Sequence, residues 1–421
     1  MFMKIIYIFE RRHGYVHDKE SFQMDSFLSK GCEVEVWSAV NWKFLGVPEP
    51  KGIDMSGRTR YINDENSLKC EISRVKNENC IFLIYPYHGY DYISYIIRKN
   101  LKNAELNFCN ITEAPSIQEN FRIISTYNIF YIYIKELYRI LRRIEVVFFK
   151  APIKKLVSKG SDRNKINCKS DIKNLYARLL GPLKYKSLYN FITTEIMYDS
   201  FPNYFEVVSK RNILIHASSY DEYLDSKNVP PLFTEEYVVY IDDYVIGHSD
   251  FIKIGSKFPV SDPQKHLLRL NALFDEIEKT WGCKVIIAAH PKAEYKGDEF
   301  HGREIIYYKT NYLIKDARLV IMGTSTCIGT VMMYERDYII IYSSEYFINV
   351  PRMKGEYDAV TQCLNCMKLD IQDHDQIKQW RSYVTDYNKD AGNAYKKRYV
   401  ISDNGVADKK MYEAIGDILI K

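Results

Sequence analysis

Four short polar stretches, each standing directly behind an apolar run, carry the residue types that group-transfer chemistry needs. They are Asp242-Asp243, His290-Pro291-Lys292, Tyr308-Lys309-Thr310 and Gly323-Thr324-Ser325-Thr326. A carboxylate can take a proton from an attacking hydroxyl or attack an electrophilic carbon itself. An imidazole can offset the charge that develops on a departing phosphate, or give it a proton. Pro291 restricts the backbone just where the His290 ring must point. Ser and Thr hydroxyls at a helix start, beside its unpaired N–H groups, hold phosphate or carboxylate, and the same residue types serve equally as plain N-caps. Taken singly the stretches are ambiguous, since aspartates commonly shape turns. Together, an acid, a histidine and a hydroxyl-rich helix start on separate strands of one sheet supply deprotonation, leaving-group stabilisation and phosphate binding. That combination fits transfer from a nucleotide-activated donor.

The elements that must position these residues follow from the apolar runs. Lys4–Phe9, Val34–Trp37, Ile81–Tyr85 and Leu106–Ile111 alternate with helix-like stretches, the pattern of a parallel sheet covered on both faces. From Asn212 a second series begins: Ile213–His216, Tyr237–Asp242, Lys284–His290, Glu304–Tyr308, Leu319–Met322 and Tyr338–Tyr342, with helices at Gln264–Trp281 and Thr326–Glu335. The expected fold is α/β, two Rossmann-like doubly wound domains facing a cleft, with extra helices in the middle of the chain. Residues 1–205 form the first domain, with a basic, aromatic helical insertion at 120–200; 206–375 form the second; 376–421 are helices that pack back on the first. In such sheets ligands bind beyond the carboxyl ends of the strands, which is where the four polar stretches fall.

Composition narrows the function classes. The chain has 421 residues, 46% apolar and 27% charged, enough for more than one core. Lys plus Arg exceed Asp plus Glu by 59 to 54, a net charge of +5, too little for a dedicated nucleic-acid binder, so no nucleic-acid partner is expected. No run approaches the about 18 apolar residues of a membrane span, and the N-terminus lacks a signal-peptide pattern, so a cytoplasmic location is expected. The nine cysteines are scattered, with only Cys363-Leu364-Asn365-Cys366 closely paired and no second ligand pair, so neither a metal nor a redox centre is expected. No Walker sequence, no G-x-G-x-x-G behind Phe9 and no G-x-S-x-G elbow is present, which weakens ATPase, dinucleotide and serine-hydrolase readings. Between Lys135 and Lys165 ten basic residues face three acidic ones, a segment suited either to an anionic membrane face or to a solvated helix.

The ordered motifs resemble bacterial glycosyltransferases of the GT-B fold, and more narrowly those using CMP-activated sialic acid, related nonulosonic acids or Kdo. Those families carry an acidic motif, then His-Pro, then a Ser/Thr pair, matched here by Asp242-Asp243, His290-Pro291 and Ser325-Thr326. The match covers Ile213 to Ser344; the first domain resembles the family in architecture alone. The resemblance implies Asp242 or Asp243 as the catalytic carboxylate, His290 assisting the CMP phosphate, and Thr324, Ser325 and Thr326 binding it. Pro291, Lys292, Arg303, Thr310 and Gly323 complete the expected donor side. The family places Gly directly after the two acids, whereas Tyr244-Val245-Ile246 here precede Gly247, which leaves open which aspartate acts. Its position at the strand end favours Asp242, with His248 and Asp250 close by. Arg12, His13 and His17 in the loop after the first strand, and Glu113, are the acceptor-side expectations.

A ketosidic donor has a single-phosphate leaving group, so hydrogen bonds can replace the divalent ion that nucleoside diphosphate donors often require. No cofactor and no metal is therefore expected. The one Asp-x-Asp, Asp373-His374-Asp375, reads as a helix start. The implied acceptor is a lipid-linked or oligosaccharide precursor of lipopolysaccharide, O-antigen or capsule, met on the cytoplasmic face with peripheral contact to the inner membrane. Two alternatives stay open. One keeps the fold and uses a UDP-sugar, as a transferase or an epimerase, with Glu335 or Glu345 on the ribose. The other is a non-catalytic scaffold of a polysaccharide assembly.

Overall fold

A computed structural model of the chain describes residues 3–9, 23–43, 59–85, 92–112, 185–195, 209–248, 251, 257–401, 406 and 408–420. Strands that are apolar on every residue must be covered twice, because successive side chains leave opposite faces. Strand β1 (Lys4–Phe9) does this: Ile5, Tyr7 and Phe9 enter one core, Ile6 and Ile8 the other. The first sheet also contains β2 (Glu33–Ser38), β3 (Thr59–Tyr61), β4 (Cys80–Tyr85), β5 (Asn107–Thr112), β6 (Ser187–Ile192) and β7 (Ser209–Leu214). Its seven described strands run in the order β3-β2-β1-β4-β5-β6-β7, with parallel pairing throughout. Helices α1 (Asp25–Leu28), α2 (Glu65–Val75) and α3 (Tyr92–Asn103) cover it. Helix α2 begins where Asp64 and Ser67 form a capping box.

The second sheet has six parallel strands, β8 (Tyr237–Ile241), β9 (Lys284–Ala289), β10 (Ile305–Tyr307), β11 (Leu319–Met322), β12 (Tyr338–Tyr342) and β13 (Lys368–Asp370), ordered β10-β9-β8-β11-β12-β13. Helix α4 (Ser218–Ser226) precedes it. Helix α5 (Pro263–Trp281) starts from the Asp262 cap with Pro263 in its first turn and stops at left-handed Gly282. Its Leu270, Leu273, Phe274 and Ile277 pack on Val238, Tyr240, Val285 and Ile287. The opposite face, with Tyr237, Val239, Ile241 and Met322, is covered from α6 (Thr310–Asp316), α7 (Ile328–Met333), α8 (Arg352–Leu364) and α9 (Lys389–Tyr399). Finally α10 (Met411–Leu419) returns to the first sheet, setting Tyr412 against Tyr7 and Phe27. These two doubly wound domains, with a closing helix that crosses back, have the expected GT-B architecture.

Three boundaries differ from expectation. Strand β7 pairs with β6 and so completes the first sheet; the division falls between Leu214 and Tyr237 and not at 205/206. Strand β6 lies inside the stretch read as helical, because its Ser187 and Asn190 are buried polar residues that interrupt an apolar pattern. Among the described residues of the C-terminal segment only α10 crosses back, while Tyr395 and Tyr399 of α9 belong to the second domain's core. The junction is pinned at one carboxylate. Asp221 of α4 accepts from His216 Nε2 at 2.8 Å, from the Met411 backbone N–H at 2.9 Å and from the Gln23 amide. No described helix is long and apolar enough to cross a membrane. The basic segment 135–165 lies outside the described residues.

Candidate active site

The second sheet winds outward from β8 through β9 to β10, then restarts on the other side at β11. Its topological switch point is therefore between β8 and β11, the place where open α/β sheets bind ligands. Asp242 and Asp243 leave β8, His290 leaves the neighbouring β9, and Gly323 leaves β11. The three motifs thus stand on adjacent strands at one edge.

Asp242 is buried, and its carboxylate is fully engaged. Oδ1 accepts from the Tyr244 N–H at 2.8 Å, an Asx turn; Oδ2 accepts from the Tyr295 hydroxyl at 2.7 Å and from the His290 N–H at 3.3 Å. Burial pushes its proton affinity up, and these hydrogen bonds draw it back without cancelling the rise. The turn bends Tyr244 into the left-handed region, φ 48°, an uncommon place for a bulky side chain. The Gly247 and His248 N–H groups then close on the Tyr244 carbonyl at 3.1 and 2.9 Å. The Tyr244 ring lies against Gly247, where a Cβ would stand 2.5 Å from its hydroxyl and displace it.

Asp243 meets different surroundings. Its carboxylate lies over the Gly323 backbone, where a Cβ would come within 2.2 Å of Oδ2 and 2.8 Å of the Tyr357 hydroxyl. The residue keeps some surface open to solvent, but its carboxyl sits deep among neighbours. Burial, and then the charge of Asp242, push it up to about 7. Tyr357 is buried beside it, and burial and the Asp243 charge hold its phenol proton firmly.

The hydroxyl cluster departs from expectation. Helix α7 begins only at Ile328 and has six residues, with Cys327 at its N-cap and no side-chain cap. Thr324, Ser325 and Thr326 therefore occupy an open loop, not a helix start; Ser325 Oγ accepts from the Cys327 N–H at 3.3 Å and Thr326 is exposed. The loop can offer hydroxyls to an anion, without a helix dipole behind them.

His290 is half-buried. Its Nδ1 accepts from the Lys292 N–H at 3.0 Å, which in the neutral ring leaves the proton on Nε2. Tyr244 stacks at 6.3 Å and the His248 ring meets it at 4.7 Å. Pro291 is exposed, and its carbonyl accepts from the Tyr308 hydroxyl at 3.4 Å. Tyr308, at φ 60°, precedes Lys309 and Thr310, which open α6 behind β10.

Arg303 does not join this group. Its guanidinium is committed to Glu278, Asp275 and Asn271, tying the β10 approach to α5, and its side chain is 7% exposed. An arginine before a strand also suits a buried ion-pair network, and that is the role these contacts give Arg303. Glu335 pairs with Lys396, and Glu345 accepts from the Ser261 N–H at 2.8 Å. Asp373 caps the helix His374–Lys378, as expected of that motif. Among the described residues no group of three His, Cys, Asp or Glu side chains could hold a metal ion. Arg12, His13, His17, Glu113 and Asp250 lie outside the described residues. Tyr244, Tyr295 and Tyr357 are the site residues that sequence reasoning missed.

No family model matches the chain, and no curated protein matches it. Among solved structures it is similar to the UDP-GlcNAc 2-epimerase from Neisseria meningitidis bound to UDP-GlcNAc (10% identity, 99% of this chain and 100% of that one, TM-score 0.43). It is also similar to MurG from Acinetobacter baumannii (8% identity, 100% and 99%, TM-score 0.46). A third is a ugt transferase from Siraitia grosvenorii in complex with UDP (10% identity, 99% and 98%, TM-score 0.46).

Proposed function

We propose that the chain is a glycosyltransferase that moves an ulosonic acid, sialic acid-like or Kdo, from a CMP-activated donor to a sugar acceptor of a surface polysaccharide. The observation that supports this is that Asp243, His290 and the Thr324–Thr326 loop follow the ends of the adjacent strands β8, β9 and β11 at the switch point of the second sheet. Asp243 takes the reactive role and Asp242 the supporting one, because both oxygens of Asp242 are already held. With a carboxyl near 7, Asp243 is poised to accept a proton at neutral pH.

In the proposed step the acceptor hydroxyl gives its proton to Asp243 as its oxygen bonds the anomeric carbon. The bond from that carbon to the phosphate oxygen breaks, and its electron pair leaves with CMP. His290 Nε2–H and the loop hydroxyls donate hydrogen bonds to the phosphate. A monophosphate leaving group can be met this way without a metal. Direct displacement inverts the anomeric centre; attack by Asp243 itself would retain it. The basic segment 135–165 is the proposed peripheral contact with the membrane that presents the acceptor.

Isothermal titration with CMP, UDP, GDP and their sugars, followed by NMR of the product, tests the proposal. The expected result is CMP binding that is lost in Ser325→Ala and His290→Ala, with donor turnover persisting in EDTA. Selective UDP binding overturns the donor assignment. Against a ribose carboxylate at Glu335 or Glu345 stand the partners each already has.

A further inference from the structure

Tyr295 is where the loops behind three neighbouring strands meet. Its hydroxyl donates to Asp242 Oδ2, at the end of β8, at 2.7 Å. Its own backbone N–H donates to the Tyr307 hydroxyl, at the end of β10, at 3.3 Å. It lies five positions beyond His290, in the loop that leaves β9. Its ring meets Tyr244 edge-on at 5.7 Å and Phe300 at 5.0 Å, so packing fixes its direction.

Resting on the proposed roles of Asp243 and His290, we infer that Tyr295 is a positioning residue, which through Asp242 holds the histidine loop in register with the reacting carboxylate. Two contacts tie that loop to Asp242. The His290 N–H reaches Oδ2 at 3.3 Å, long for such a bond, whereas the phenol reaches the same oxygen at 2.7 Å, the length of a charge-assisted one. The phenol is the stronger tie. Between the two contacts the chain folds on itself, with the Ala293 N–H on the His290 carbonyl at 2.9 Å and the Lys292 N–H on the His290 ring at 3.0 Å. His290 through Tyr295 is thereby closed into a loop clasped by one carboxylate. Burial and the Asp242 charge hold the phenol's proton firmly, so it stays a donor.

Tyr295→Phe removes the hydroxyl and keeps the ring. In that variant kcat for donor turnover falls about 10- to 100-fold, with donor KM changed by less than about threefold, because the His290 ring is still present to hold the bound nucleotide and loses only its alignment on the phosphate as it departs. Asp242→Asn gives a loss of the same kind, and the double variant is no worse than the poorer single one. An unchanged kcat in Tyr295→Phe, or additive losses in the double variant, overturns the inference. A readout independent of turnover is the His290 imidazole resonance in histidine-labelled protein, assigned with His290→Gln. It shifts or broadens in Tyr295→Phe if the clasp exists, and stays as in the unmodified protein if it does not. A chain that proves to use no nucleotide-sugar thus fails the proposed function and leaves the clasp to be decided by that resonance.

Discussion

Asp242 spends both oxygens on Tyr244, Tyr295 and His290, while the proton on Asp243, one residue on, answers only to burial and to its neighbour's charge. That difference makes Asp243 the group to titrate. If it is the base, kcat/KM rises with pH through about 7, and Asp243→Asn lowers it by about 100-fold or more and removes that limb; a rate profile flat from pH 5 to 8 would dismiss the assignment. Stability moves the opposite way. The folded carboxyl binds its proton more tightly than the unfolded one, so wild type loses stability as pH rises from the ordinary aspartate range through about 7. Asp243→Asn escapes that loss, and its melting temperature gains more over wild type at pH 8 than at pH 5. The acids, the histidine and the hydroxyls were visible in the sequence because each follows an apolar run. Tyr244, Tyr295 and Tyr357 were not, since 36 tyrosines give no one of them a distinguishing context.

At the scale of elements, the site depends on how closely β8 and β11 let their loops approach. Gly323 is the point of contact: any side chain there would overlap the Asp243 carboxylate and the Tyr357 hydroxyl. Gly323→Ala therefore displaces the carboxylate and costs roughly 100-fold in kcat, while the β8–β11 pairing, which ends before it, keeps the sheet folded. Circular dichroism separates the two effects, and an active Gly323→Ala enzyme would contradict the close approach. Strands β8, β9, β11 and β12 could be read directly, as unbroken apolar runs. Strands β3 and β13 could not, having three residues each. Strand β7, Ser209-Lys210-Arg211-Asn212-Ile213-Leu214, is a polar edge whose apolar end alone drew notice, and this moved the domain boundary. The hydroxyl loop reads as a helix start in the sequence because Thr and Ser favour caps, whereas in the structure Cys327 takes that position.

Across the whole molecule, the two domains are joined through a buried carboxylate. Asp221, 5% exposed, satisfies donors from Gln23 in the first domain, from His216 in the link and from Met411 in the returning helix. Removing it strands two buried donors and the part-buried Gln23 amide, the buried ones worth about 1–3 kcal/mol each when unpaired, so Asp221→Ala lowers stability by on the order of 3 kcal/mol. Asp225→Ala, which breaks only the exposed pair with Lys410, costs less than about 1 kcal/mol. Urea unfolding midpoints compare them, and equal midpoints would remove Asp221 from its central place. The return of the C-terminal helical region to the first domain is an expectation the sequence carries, while the Asp221 junction is not, because its partners are scattered along the chain.

That crossing bears on how the protein is made. Tyr412 covers a face formed by Tyr7 and Phe27, so strand β1 waits for a helix that is synthesised after the whole second domain. While the ribosome is still adding the second domain, an aromatic surface of the nascent first one stays bare, a natural foothold for a chaperone.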